Sequence, residues 1–297
     1  MTKAEIIGFC RGMGADLVGF APVRRWEERR EVPPDFYPQA LWPLARTVVV
    51  LGVQMPLPMV DTTPSALHLE LYRTANRALD DMAFRLTRFL YGRGFPAYFF
   101  PRDGYGSMKA LRERPLAAFS HVFAACYAGL GTVGANNVVL TREYGPRVRW
   151  VSVFTSLQLE PDPLLEKDLC IRCGLCARAC PVQALALRED RVVGDFDKAA
   201  CLARAEELVR RRVYPCGICT KVCPVGKDRE VYQEKGLARR YREEREVLSA
   251  HPDHPAYRSW QHVRTYGTAE PEFGARRRDG RAAERTGGHE DSRANGG

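Results

Sequence analysis

The chain has 297 residues, 45% of them hydrophobic, and a formal net charge of +9, which allows one α/β domain with a sizeable core plus a small appended module. No window approaches the roughly 18 uninterrupted apolar residues of a membrane span, and Met1 to Gly14 lacks the basic flank, long apolar stretch and twin-arginine pair of an export signal. A cytoplasmic location without membrane contact is expected, and with it ten cysteines that are not disulfides.

Thr2 and Glu5 have the spacing of a capping box, so residues 3 to 14 read as a helix stopped by Gly12 and Gly14. A short apolar strand follows at Asp16 to Ala21, and the proline- and charge-rich stretch from Trp26 to Pro43 reads as an irregular loop. The β-branched run from Thr47 to Val53 has the character of a buried central strand. From Pro64 to Tyr91, Leu67, Leu71, Ala75, Leu79, Met82, Leu86 and Leu90 recur at helical spacing and predict the main core helix. Phe95 to Phe100 reads as a strand and Pro115 to Ala128 as a helix, with Phe119, Val122, Phe123 and Cys126 on one face. The glycine-rich run from Gly129 turns into an expected strand pair, Val138 to Leu140 with Val148 to Phe154. Pro161 and Pro163 mark a boundary, giving expected domains at 1–160 and 161–227. The remainder, 228–297, reads as a charged helix and a mostly disordered tail.

Eight cysteines lie between Cys170 and Cys223. Cys170, Cys173 and Cys176 can wrap one cuboidal cluster from a single loop, while Cys180, three residues on and followed by Pro181, points to a second site. The second run, Cys216, Cys219 and Cys223 with Pro224, lacks one member, which Cys201 supplies. Crossed ligation follows: Cys170, Cys173, Cys176 and Cys223 for one 4Fe-4S cluster, and Cys180, Cys201, Cys216 and Cys219 for another. Zinc is the competing reading of C-x-x-C pairs, but zinc sites rarely use a third thiolate at the same spacing or a repeated Cys-Pro ending. Cys10 and Cys126 stand apart and read as inert core thiols.

The stretches A-G-L-G-T-V-G-A-N-N at Ala128 to Asn137, L-T-R-E-Y-G-P-R-V-R at Leu140 to Arg149, the solitary Cys201 and the C-G-I-C-T-K-V-C-P ending resemble the epoxyqueuosine reductases. More distantly they resemble the reductive dehalogenases. The resemblance implies an α+β protein: a nitroreductase-like α/β N-terminal domain that holds a corrin, followed by a ferredoxin-type module with two 4Fe-4S clusters. It implies an oxidoreductase with cobalamin as a further cofactor. The glycines of the run, Gly129, Gly131 and Gly134, would admit a large planar cofactor, and Asn136 and Asn137 would bond its peripheral amides. Tyr144, Gly145, Pro146, Arg147 and Arg149 read as a structural turn and a salt-bridged strand.

Two departures bear on the substrate. The acid of the family's D-T-x-P segment has no counterpart, since Pro115 falls at that place and Glu113 is the nearest carboxylate, so Tyr105 and His121 become the candidate proton donors. The family's helical-repeat domain is replaced by a charged tail, which favours a small-molecule substrate over tRNA. Arg210, Arg211 and Arg212, with other basic residues of the module, are expected to attract an acidic electron donor such as a flavodoxin or ferredoxin. The rival reading is a ferredoxin-like electron-transfer protein serving a partner enzyme. A divergent tRNA epoxyqueuosine reductase is the third.

Overall fold

The computed structural model describes residues 1–102, 107–114, 116–232, 237–251, 254–257 and 262–263. In chain order its first part runs α1 (Lys3–Gly12), β1 (Leu17–Pro22), α2 (Arg24–Arg29), α3 (Pro38–Leu41), β2 (Thr47–Gln54), α4 (Leu57–Asp61), α5 (Ala66–Tyr91), β3 (Ala97–Phe100), α6 (Met108–Glu113), α7 (His121–Tyr127), β4 (Thr132–Val133), β5 (Val139–Leu140) and β6 (Val148–Thr155). The cysteine-rich part adds α8 (Leu175–Arg178), β7 (Leu185–Ala186), β8 (Asp195–Phe196), α9 (Lys198–Arg210) and α10 (Ile218–Lys221), followed by α11 (Asp228–Tyr232) and α12 (Leu237–Ala250). No helix among the described residues is long and apolar enough to cross a membrane. Most of the predicted tail, including all of 264–297, lies outside the described residues.

A four-stranded antiparallel sheet in the order β1-β2-β6-β3 organises the first part. Side chains alternate across a strand, and both faces are covered, so β2 is apolar at nearly every position. Val49, Leu51, Val151 and Val153 pack under Ile6 and Cys10 of α1 and Leu79, Met82, Leu86 and Leu90 of α5. Val48, Val50, Trp150 and Phe154 pack against Ala124 and Tyr127 of α7, with Trp26 and Phe119. Each large apolar side chain buried here contributes about 1.5–3 kcal/mol.

The capping box at Thr2 and Glu5 forms as predicted. Along α5 the buried stripe follows Ala75, Leu79, Met82, Leu86 and Leu90, but its first turns bury His68, Leu69 and Tyr72 and leave Leu67 38% exposed. There the helix turns from the sheet toward the cysteine-rich part. The expected pairing of residues 138–140 with 148–154 does not occur: β5 pairs with β4 in a small hairpin, and β6 enters the main sheet between β2 and β3. The Gly129 run thus closes on itself before the chain returns to the sheet. The expected irregular loop at 26–43 carries most of α2 and all of α3.

The segment leading to the cysteines is held by the first part. Asp162 accepts from the Phe20 amide at 2.8 Å and from Lys3, and Arg25 donates to the carbonyls of Asp162, at 2.6 Å, and Tyr127.

Candidate metal centre

The two cysteine runs fold as a repeat. Gly174 and Gly217 occupy matching places in C-G-L-C and C-G-I-C, and both adopt the left-handed conformation, with φ of 71° and 63°, that starts α8 and α10. A side chain there is disfavoured. At Gly217 it would also approach within 2.9 Å of the His68 ring.

The fold gathers the eight thiols into two quartets around two hollows. Cys170, Cys173, Cys176 and Cys223 surround a narrow one of about 20 Å³, closed by Ala135, Leu140, Leu175 and Val225. Cys180, Cys201, Cys216 and Cys219 line the other, about 410 Å³, which continues past the cysteines to Met108, Leu111, Leu202 and Tyr214. Among the described residues no three His, Cys, Asp or Glu side chains converge closely enough for a single ion. Burial pushes Cys176 and Cys201 up, Cys223 to about 11 and Cys219 further, with the Val225 backbone, Arg147 and Arg229 opposing the shift at Cys223.

Two buried ion pairs fasten the quartets to the first part. Arg147, fully buried in the turn before β6, donates to Asp228 Oδ2 at 2.6 Å and Oδ1 at 2.7 Å, and to the carbonyls of Val225 at 2.6 Å and Cys223 at 3.2 Å. Lys221, between two cysteines, lies 3.6 Å from Asp61 at the end of α4, and both are buried. Beside that pair the Thr63 hydroxyl donates to the Cys216 carbonyl at 2.6 Å and lies 3.0 Å from His68 Nδ1. Burial lowers the His68 pKa to about 4, so the imidazole is neutral and structural.

Several predicted site residues have other work. A Cβ on Gly129 would strike the Pro163 carbonyl, one on Gly131 the Leu140 carbonyl, and one on Gly134 the Leu140 side chain at 2.8 Å. At each of these glycines the close approach is made by protein. The Asn137 side chain donates to the Gly194 carbonyl at 3.0 Å, whereas Asn136 lines both hollows. His121 has Nδ1 2.9 Å from Ser152 Oγ and Nε2 3.0 Å from the Pro101 carbonyl, so both ring nitrogens serve the fold and neither hollow includes it. Tyr105 and Pro115 lie outside the described residues. Of the arginines expected to steer a donor, Arg211 is bound to Glu207 at 3.0 Å, and Arg212 lines a cleft described next.

That cleft, about 440 Å³ and open to solvent, runs between α5 and the end of α9. Its wall has four arginines, Arg73, Arg77, Arg102 and Arg212, and two tyrosines, Tyr72 and Tyr214; Arg73 is paired with Glu70 and Arg102 with Asp80, each at 2.7 Å. Tyr214 also borders the larger cysteine hollow, two residues before Cys216. Nothing in the local sequence marks this site, because its sides come from residues some 140 positions apart.

Cys10 and Cys126 are inert by the same physics. Burial raises each thiol to about 12, and the reactive species is the thiolate. Iodoacetamide at pH 8 should leave both unmodified in the folded protein, as read by mass spectrometry. Alkylation of either without unfolding would contradict this.

Residues 169–227 match the family described as a 4Fe-4S dicluster domain, which gives this part of the chain its class: an iron–sulfur module. Over a wider span the chain is 22% identical over 263 residues to the epoxyqueuosine reductase of Bacillus subtilis, covering 77% of this chain and 65% of that protein. It is 29% identical over 253 residues to the tetrachloroethene reductive dehalogenase of Sulfurospirillum multivorans, covering 73% and 48%. Both relatives are enzymes, and the chain spans less than two thirds of either. Among solved structures, an epoxyqueuosine reductase with an epoxyqueuosine-modified tRNA-Tyr stem loop superposes with a TM-score of 0.51 at 22% identity, covering 76% of this chain and 65% of the other. A reductive dehalogenase whose structure suggests a mechanism for B12-dependent dehalogenation does so with 0.56 at 18%, covering 77% and 33%. The resemblance noted in the sequence thus extends to the fold of the first part as well as to the module.

Proposed function

We propose that this chain is an iron–sulfur reductase whose quartets hold two 4Fe-4S clusters by crossed ligation, with a cofactor-bearing N-terminal domain of nitroreductase-like kind. The observation that carries the reading is the pair of four-thiol hollows, the larger of which runs on to Tyr214 at the arginine-lined cleft. Hollows lined by four thiols, with a third thiolate at the same spacing in the first run and a Cys-Pro ending in both, suit cuboidal clusters better than zinc. Such clusters take up and release single electrons, at potentials set by burial and by hydrogen bonds to sulfur.

The chain's own part is to keep the two sites adjacent, dry and joined to a substrate space. Ile218 and Val222 are buried between the runs and exclude water, and the two buried ion pairs hold the module against α4 and β6. The cleft fits a cobalamin in character: Arg77 and Arg212 would receive its phosphate beside Tyr214, while Arg73 and Arg102 are held by Glu70 and Asp80 and the Tyr72 ring is covered by Arg149. Cobalamin would supply a metal-centred reductant there. Its position would move the expected cofactor contact from the glycine run to the far side of the second quartet. Tyr105 is retained as the proton donor from the sequence alone, whereas His121, with its ring nitrogens at Ser152 and the Pro101 carbonyl, is not.

The test is the visible spectrum after anaerobic reconstitution with and without cobalamin. Retention of one corrin per chain is expected, and its loss in the double variant Arg77→Glu, Arg212→Glu. Refusal of the corrin by the wild type would favour the electron-transfer protein serving a partner, with an acidic flavodoxin or ferredoxin as donor in either case. A second reading, action on epoxyqueuosine in tRNA, is favoured by Arg77 and Arg212 in the cleft and by the tRNA-bound relative. Efficient turnover of epoxyqueuosine-containing tRNA by the reconstituted protein would establish it over a small-molecule substrate.

A further inference from the structure

Asn136 is the one polar side chain among the described residues that lines both cysteine hollows. It is 6% exposed. Its Nδ2 makes a single long hydrogen bond, 3.5 Å to the Cys219 carbonyl, and its Oδ1 is buried without a partner. Cys219, of one quartet, and Cys176, of the other, pack in one cluster with Ala135, so the neighbouring carboxamide stands between the two sites. Gly134 makes room for it, since a Cβ there would lie 2.9 Å from Asn136 Oδ1.

A buried carboxamide is ordinarily satisfied on both ends, and an Nδ2 with two hydrogens and one weak acceptor has a donor to spare. The nearest acceptors inside the hollows would be the sulfurs that the quartets provide and hold. Hydrogen bonds to cluster sulfur stabilise the reduced, more negative state and so raise the potential. Leucine has nearly the same shape and no donor.

We infer that Asn136 is a positioning residue shared by both clusters, its amide hydrogens placed at the gap so as to raise the potentials of the two together. The inference rests on the two-cluster reading. It identifies a residue outside the ligand set, from the glycine-rich run, as a control on the electron path.

The test compares wild type with Asn136→Leu, Asn136→Ala and Asn136→Ser in the reconstituted full chain, by iron content and by redox titration followed with electron paramagnetic resonance. Full iron with lowered midpoints of both clusters is expected in the leucine and alanine variants, and a return toward wild type in serine, which keeps a donor. Where leucine is too branched for the gap, alanine against serine reads the same contrast, since both are smaller than asparagine. Full iron with unchanged midpoints, or alanine and serine alike, would overturn the inference, and a shift confined to one cluster would overturn the sharing. A wild type that assembles no clusters overturns the functional reading itself, which separates the two failures.

Discussion

Replacing Cys180 with alanine is expected to remove the cluster of the second run, although Cys180 belongs in sequence to the first, and to leave about half the iron in place. Cys223→Ala should do the reverse. The reason is the fold around each thiol: Cys180 lines the hollow with Cys201, Cys216 and Cys219, whereas Cys223 lines the other with Cys170, Cys173 and Cys176. Cys176→Ala is the control, since its loss should match that of Cys223→Ala and differ from that of Cys180→Ala. Iron analysis with electron paramagnetic resonance of the reduced variants distinguishes the patterns. If Cys180→Ala and Cys176→Ala lose the same signal, ligation is sequential and the partition is wrong.

Arg147→Ala is expected to destabilise the protein by about 3–5 kcal/mol, the typical cost of leaving one member of a buried ion pair behind. Asp228 would be left buried at 8% exposure, and the carbonyls of Val225 and Cys223 would lose a donor. Lysine is a poor substitute, because a point charge cannot reproduce the bidentate fork. Arg147→Met combined with Asp228→Leu should recover much of the loss, since removing both charges leaves none uncompensated. Denaturant melts of the four proteins measure this. A single variant within about 0.5 kcal/mol of wild type, the range of an ordinary surface change, would show that the pair does not hold the module.

How far the sequence could be read follows from the range of the interactions. The run T-V-V-V-L-G-V announces a strand buried on both faces, and β2 is that strand. The spacing of the cysteines suggests the two quartets through its local C-x-x-C pairs, whereas Cys223 in one set, and Cys180 and Cys201 in the other, come from a distance. The glycine run reports a close approach and not what approaches: at Gly129 it is the Pro163 carbonyl. His121 looked available on a helix, yet its two partners, Ser152 and Pro101, come from a strand and a loop that the helix meets only in three dimensions. The same limit hid the arginine-lined cleft, whose walls belong to α5 and to the approach to Cys216. The turn at Tyr144 to Arg149 was legible as structural, but its partner Asp228 lies one residue beyond the expected end of the module.

The central claim is that the two quartets each hold a 4Fe-4S cluster. Purified and reconstituted under anaerobic conditions, the full chain should contain about eight iron and eight acid-labile sulfide per molecule. After reduction it should show the paramagnetic signals of two neighbouring clusters. About four iron and four sulfide, or zinc without sulfide in either quartet, would contradict it.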